Sequence, residues 1–148
     1  MVLLVPFDDT PLSRTALQRA LTFADHTDEE VLVLTVVPTD RGYARERGWV
    51  DEGFDPNAVA ERLVARAREL APEAAVRLET PRNDSSLAST AMDVARTIRE
   101  VAHEVGASIV FIGSENAGRV SRPITSVGAP VSSDPEYDVF IVRHADEP

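Results

Sequence analysis

The acidic pair Asp8-Asp9 is the first feature of the sequence whose residue types could do chemistry. It follows an apolar run, Val2 to Phe7, and precedes Thr10-Pro11. Paired aspartates at the end of a buried strand can hold Mg²⁺ through their oxygen atoms, as phosphate-accepting sites do. A phosphate-accepting site of this kind also needs an aspartate ending the third strand and a lysine ending the fifth, and those regions read LET and VRH here. The simpler interpretation of Asp9 is an acidic residue that stabilises a helix N-terminus.

A second candidate is the glycine-bearing stretch from Gly113 to Val120, which nearly matches a phosphate-binding loop with Arg119 in the lysine position. Val120 cannot ligate Mg²⁺, and the stretch follows the fourth predicted strand instead of the first. The glycines keep a more general use, because a glycine-rich turn between a strand and a helix lets backbone N–H groups approach a phosphate.

Other classes of chemistry are excluded by residue types that the chain lacks. None of its 15 basic residues is a lysine, which excludes Schiff-base chemistry, and the absence of cysteine excludes thiolate nucleophiles and disulfides. The three histidines, His26, His103 and His144, have no metal-ligand spacing, and no serine-hydrolase elbow occurs. We therefore predict no catalytic residue and no metal site.

The net charge of −10 excludes further partners, because it would repel a nucleic-acid backbone or an anionic membrane surface. We expect no nucleic acid and no membrane partner. An acidic excess with arginine in place of lysine is typical of halophilic proteins, although a codon bias towards arginine would give the same composition.

The apolar N-terminal run is too short for a membrane span and lacks the features of a signal peptide, which predicts a cytoplasmic protein.

The apolar pattern predicts the elements that must position these residues. A length of 148 residues with 43% hydrophobic content predicts one domain, with a short polar tail at 144–148. Apolar runs predict five strands, at Val2 to Phe7, Val31 to Val37, Ala74 to Glu79, Ser108 to Ile112 and Val139 to Val142. Helices are predicted after the caps Thr10-Pro11 and Asp55-Pro56 and before Gly106. The polar stretch from Thr39 to Phe54 is predicted to be mobile or partly helical.

Strands that alternate with helices predict an α/β fold, a doubly wound, five-stranded, mainly parallel sheet with helices on both faces. In such sheets, ligands bind at the carboxyl ends of the strands, where the winding direction reverses. This rule indicates the turns after the first and fourth strands, which hold Asp8-Asp9 and the stretch from Gly113.

The first predicted strand ends in Val5-Pro6-Phe7-Asp8, and the helix that follows contains Arg14-Thr15-Ala16-Leu17. These segments resemble the universal stress protein family, in which a strand ends in V-P-x-D and runs into a helix with R-A-L, and the resemblance covers nearly the whole chain. Further similar segments are LTVV at 34–37, ASIVFIG at 107–113, Ser126-Val127 and VFIVR at 139–143. The resemblance implies an adenine nucleotide alpha hydrolase-like fold.

The resemblance also implies where an adenosine group would bind. Pro6, Asp8 and Val36 would line its pocket, with Ile112 and Val127 nearby. Asp8 would accept a hydrogen bond from a ribose hydroxyl or from the adenine amine, and apolar walls with one orienting carboxylate suit a nucleoside. The competing interpretation is that the apolar residues are core at strand ends and Asp8 is a helix-capping acid.

The phosphate half of the family's nucleotide site is degenerate here. Family members that bind ATP carry three glycines after the fourth strand, and Gly113, Asn116 and Thr125-Ser126 occupy their places. Two of the three glycines are therefore replaced, which predicts weak or absent binding of ATP or AMP. Arg119 and Arg122 either contact phosphate in place of the missing backbone donors or form a solvated basic pair.

The resemblance thus implies a regulatory stress-response domain, non-catalytic, with a degenerate ATP-binding loop. The alternatives are a slow ATPase or nucleotide hydrolase using the same cleft, and a module that binds another ligand there. A homodimer is expected through the fifth strand, because Val139, Phe140, Ile141 and Val142 lie at a predicted sheet edge without lysine or proline. A segment from Ser126 to Asp134 folded over this edge would instead keep the chain monomeric.

Overall fold

Five strands and four helices make up the computed structural model, which describes residues 1–49, 53–81, 90–114 and 137–145. The strands are β1 (Val2–Pro6), β2 (Glu30–Val36), β3 (Ala75–Glu79), β4 (Ala107–Gly113) and β5 (Asp138–Val142). The helices are α1 (Pro11–Thr27), α2 (Arg41–Glu46), α3 (Pro56–Leu70) and α4 (Thr90–Val105). Each predicted strand is present, with its ends shifted by one residue in most cases.

All strand pairings are parallel, and the order across the sheet is β3-β2-β1-β4-β5. This confirms the doubly wound α/β fold. Right-handed crossovers place α1 and α3 on one face, and the return connection through α4 places that helix on the other. The winding direction reverses between β1 and β4, so their carboxyl ends form the switch point at which a ligand site is expected.

Helix α1 begins where the sequence predicts, and its first turn explains why. Thr10 is the N-cap, its hydroxyl accepts from the Ser13 N–H at 3.4 Å, and the Ser13 hydroxyl oxygen accepts from the Thr10 N–H at 3.0 Å. Pro11 occupies the first helical position, where its missing N–H costs nothing. Because this turn is closed by its own side chains, the residues directly before it are held in a defined geometry.

The core is formed by the central strands, which are covered on both faces. Residues that are fully buried include Leu3, Leu4, Val5, Val33, Leu34, Val110 and Phe111. Each such side chain contributes about 1.5–3 kcal/mol of burial free energy. The run of apolar residues without polar alternation in β1 therefore reflects a strand that has no solvent face.

The stretch from Thr39 to Phe54, for which the sequence predicts either a mobile or a partly helical segment, is partly helical. It contains α2, and Tyr43, Ala44 and Trp49 from this stretch are buried. Residues 50–52 lie outside the described part of the chain. A polar connection thus contributes an ordered element that packs on the rest of the fold.

Tyr137, directly before β5, is buried, and its ring lies edge-on to His103 with centroids 6.1 Å apart. Burial raises the pKa of Tyr137 from 10.0 to about 12. The unfolded chain loses this proton near pH 10 while the folded chain keeps it, so stability should fall as the pH rises from about 10 to about 12. Tyr137→Phe should remove that part of the loss.

Midpoint temperatures of unfolding from pH 8 to pH 12 would test this expectation. The two proteins should have similar pH dependence up to pH 9 and then diverge, with the variant less sensitive to alkali. Identical alkaline slopes would show that Tyr137 is not the group responsible.

Candidate functional site

A cleft opens at the carboxyl ends of β1, β2 and β4, at the predicted switch point. It encloses about 530 Å³, a figure that includes its opening to solvent. Its lining residues come from the sheet, the first turn of α1, α2 and α4: Pro6, Phe7, Asp8, Ser13, Leu34, Val36, Tyr43, Ala91, Val94, Ala95, Ile98, Ile112 and Gly113.

Five of the predicted site residues meet in this cleft, namely Pro6, Asp8, Val36, Ile112 and Gly113. They come from three strands that are far apart in the sequence, so parallel pairing of those strands is what brings them together. Their role in binding stays a prediction. The other predicted contacts lie outside the described residues: Asn116, Ser126, Val127, Arg119 and Arg122.

The apolar walls of the cleft belong also to the core. Val36 is 7% exposed and Ile112 2%, and Leu34 is fully buried. The two interpretations of these residues are therefore compatible, because each side chain packs against the core while its edge faces the cleft.

Asp8 supplies the charge in the cleft, and both of its carboxylate oxygens have partners. Oδ1 accepts hydrogen bonds from the Thr10 N–H at 3.2 Å and from the Thr10 hydroxyl at 2.6 Å. Oδ2 forms an ion pair with Arg47 Nε at 3.3 Å. Asp8 thus braces the start of α1, and Oδ2, which Arg47 Nε approaches without a hydrogen bond, can accept a hydrogen bond from a ligand.

Asp9 does not line the cleft, although it adjoins Asp8. Its φ is +59°, a left-handed conformation that Asp tolerates better than most residues. Its carboxylate pairs with Arg14 Nη1 at 3.0 Å and with Arg66 Nε at 3.5 Å. Both aspartates are therefore engaged by arginine, and guanidinium groups at these distances would oppose a cation between them.

The segment from α2 to Trp49 forms a wall that sequence reasoning did not assign to the site. Tyr43 lines the cleft, and its ring centroid lies 5.7 Å from that of Trp49. The Trp49 indole N–H donates to the Asp8 carbonyl oxygen at 3.0 Å, and Arg62 Nη2 donates to the Trp49 carbonyl oxygen at 2.6 Å. The sequence signal that could have indicated this wall is the pair of aromatic residues, Tyr43 and Trp49, in an otherwise polar stretch.

Asp40 connects this segment to helix α4. As the N-cap of α2 it accepts from the Tyr43 N–H at 2.9 Å, and its other oxygen accepts from the Thr90 hydroxyl at 2.8 Å, at the start of α4. These two hydrogen bonds lower the pKa of Asp40, and the one from Tyr43 has the larger effect. The contact links α2 to α4, the helix that supplies four cleft residues.

Helix α4 was predicted as an amphipathic helix but not as part of a site. Its cleft-lining residues are Ala91, Val94, Ala95 and Ile98. Two of the four are alanines, whose small side chains leave room between α4 and the strand ends. No group of three or more His, Asp or Glu side chains that could hold a metal occurs in the described ranges.

These features define a class of protein: a doubly wound α/β domain with a mainly apolar cleft at the switch point, in which Asp8 is the one carboxylate among the described lining residues. The model of the universal stress protein family matches residues 1–143, and the chain belongs to that family. No match was found among curated proteins. The described part of the chain contains no helix long and apolar enough to cross a membrane.

Solved structures with the same fold include a universal stress family protein from Burkholderia pseudomallei, 19% identical over 97% of this chain and 96% of that one, with a TM-score of 0.60. A universal stress protein from Archaeoglobus fulgidus in complex with dAMP is 16% identical over 97% and 98%, with a TM-score of 0.60. Another, in complex with cAMP, is 22% identical over 98% and 97%, with a TM-score of 0.52. At these identities the likeness shows the fold alone.

Proposed function

We propose that this chain is a regulatory domain that binds an adenine nucleotide or nucleoside in the cleft, weakly and without turning it over. The observation that carries the proposal is the placement of Asp8 at the mouth of an apolar cleft formed by Val36, Ile112 and the α4 alanines. Apolar walls hold a purine ring, and a single carboxylate orients it through a hydroxyl or amine. Two family members were crystallised with dAMP and cAMP, which supports this ligand class.

The proposal of weak binding rests on the phosphate half of the site. Asn116 and Thr125 stand in the sequence where ATP-binding relatives carry glycine. Each lost backbone hydrogen bond to a phosphate costs about 1.5–3 kcal/mol, as hydrogen bonds to charged groups do. A ligand would then owe most of its affinity to the adenosine part.

Titration calorimetry with ATP, AMP and adenosine, with and without Mg²⁺ in molar KCl, tests the proposal. We expect all three ligands to bind with micromolar to millimolar dissociation constants and no ATP to be consumed. A sub-micromolar constant for ATP would contradict the weak-binding part. Release of ADP or phosphate would contradict the non-catalytic part, and no binding of any of the three would overturn the assignment of the ligand.

We also propose that the chain forms a homodimer through β5. The strand lies at an edge of the sheet, and Phe140 and Ile141 are 41% and 38% exposed. Val142 is buried against the protein's own core and Val139 is half-buried, so the contact would use the strand backbone together with Phe140 and Ile141. An edge strand with exposed apolar side chains favours pairing with its own copy.

Ile141→Asp should convert this dimer to a monomer, because it places a carboxylate at the two-fold contact, opposite its own copy or close to it. Light scattering in molar salt should give twice the chain mass of 16.1 kDa for the wild type and that mass itself for the variant. Leu78→Asp is the matched control, since Leu78 is 49% exposed on the opposite edge strand, β3. A monomeric wild type, or equal dissociation in both variants, would reject the β5 dimer.

A further inference from the structure

A nucleotide that enters this cleft carries negative charge towards a protein that is itself strongly negative. The net charge of the chain is −10, and Asp8 is the charged side chain among the described residues that line the cleft. With that carboxylate uncompensated, the cleft would favour a neutral nucleoside over a phosphorylated one, because like charges in a partly enclosed site repel. Whether the negative charge of Asp8 is compensated therefore decides whether the cleft favours a nucleoside or a nucleotide.

Arg47 provides this compensation from behind the cleft wall. Its Nε lies 3.3 Å from Asp8 Oδ2, and its guanidinium carbon lies 3.5 Å from the centroid of the Tyr43 ring. The side chain is only 11% exposed, so its charge is screened by salt far less than that of a surface arginine. Its other carboxylate contact, Glu46 at 3.9 Å, is 80% exposed and compensates it weakly.

The neighbouring arginines do not take this role. Arg14 and Arg66 both pair with Asp9, whose carboxylate is not among the groups that line the cleft. Arg62 is directed at the Trp49 carbonyl oxygen. Among the arginines of the described ranges, Arg47 is the one whose ion pair reaches the cleft carboxylate.

We propose that Arg47 is a positioning and specificity-determining residue, which neutralises Asp8 and so sets the preference of the cleft for a nucleotide over the corresponding nucleoside. This inference rests on the proposed adenine-binding function. Arg47 does not touch the ligand. It acts through Asp8, whose charge it compensates, and through Tyr43, against whose ring its guanidinium group lies.

The test compares AMP with adenosine in four proteins: the wild type, Arg47→Gln, Asp8→Asn and the double variant. Affinities are measured by calorimetry or, in the millimolar range, by ligand NMR. The single tryptophan of the chain, Trp49, contacts both Tyr43 and the Asp8 carbonyl group, so its fluorescence reports binding at this cleft.

In Arg47→Gln the AMP affinity should fall about tenfold relative to adenosine, because the Asp8 charge is exposed to the phosphate. In Asp8→Asn the ratio of AMP affinity to adenosine affinity should rise, and in the double variant this ratio should return towards the wild-type value. The change in Arg47→Gln should shrink between 0.1 M and 1 M KCl, where the Debye length falls from about 10 Å to about 3 Å. A purely structural role for Arg47 would weaken both ligands equally.

Arg45→Gln is the matched control, since it removes the same charge at an exposed position in the last turn of α2, two residues before Arg47, which caps that helix. It should leave the ratio unchanged, and Arg47→Lys, which keeps the charge, should retain most of the AMP preference. If Arg47→Gln does not fold, the comparison of Asp8→Asn with the double variant, which leaves no buried charge unpaired, decides the matter, because the ratio should be shifted towards AMP in the first and return towards the wild-type value in the second. A ratio that no variant changes would overturn this inference alone, whereas a wild type that binds neither ligand would overturn the proposed function and the inference with it.

Discussion

Asp8→Asn is expected to weaken adenosine binding by about ten- to hundredfold, the equivalent of one hydrogen bond to a charged group. The carboxylate accepts from Thr10 through one oxygen and forms an ion pair with Arg47, without a hydrogen bond, through the other, so the second oxygen can accept a hydrogen bond from the ligand. Asparagine keeps the size of the side chain but replaces one acceptor oxygen by a donor. Calorimetry with adenosine isolates this effect, because the nucleoside carries no phosphate that could respond to the change of charge.

Asp9→Asn is the matched control for this experiment. It makes the same chemical change at the adjacent residue, whose carboxylate pairs with Arg14 and Arg66 instead of lining the cleft. Asparagine also tolerates the left-handed backbone at this position. Adenosine affinity should therefore stay within about twofold of the wild type. An equal loss in both variants would mean that the turn, and not the Asp8 carboxylate, supports binding.

Phe111→Ala should produce the largest loss of stability, with the free energy of unfolding lowered by about 3–5 kcal/mol. Phe111 is fully buried in β4, its ring lies edge-on to Phe23 of α1 at 5.8 Å, and it stacks on Phe140 of β5 at 5.0 Å. Alanine would leave a cavity between helix, central strand and edge strand that these neighbours can fill only in part. Urea unfolding at fixed salt, followed by circular dichroism, measures the loss.

Phe23→Ala is the control for Phe111→Ala. It removes a ring from the same aromatic contact, but Phe23 is only partly buried at the surface of α1. Its loss should be clearly smaller, because part of that side chain is already in water and the site can collapse. A Phe23→Ala variant as destabilised as Phe111→Ala would show that the core around β4 is less tightly packed than the burial of Phe111 implies.

The sequence by itself determined the order and type of the elements. Apolar runs without polar alternation marked β1, β2 and β4 as buried strands, and the caps Thr10-Pro11 and Asp55-Pro56 marked the starts of α1 and α3. These signals are local, since a cap satisfies the backbone of its own helix and a buried strand needs apolar side chains at each position. Alternation of strands and helices then limited the fold to a doubly wound sheet.

For the cleft, sequence patterns indicated its location and half of its walls. The switch-point rule placed it after β1 and β4, and the family resemblance added Pro6, Asp8, Val36, Ile112 and Gly113, all of which line it. The loop residues Asn116, Ser126 and Val127 lie outside the described part of the chain. Both sources concern strand ends, where local sequence and topology together determine the position of a side chain.

Only the tertiary structure decided how the cleft is closed and how its charge is balanced. The Trp49 indole reaches the Asp8 carbonyl group, Arg47 reaches the Asp8 carboxylate, and Asp40 reaches Thr90 across the cleft. These partners are about 40 to 50 residues apart in the sequence, and α2 is only six residues long. So short a helix has little stability of its own and forms because it packs here, and no periodic pattern encodes such contacts.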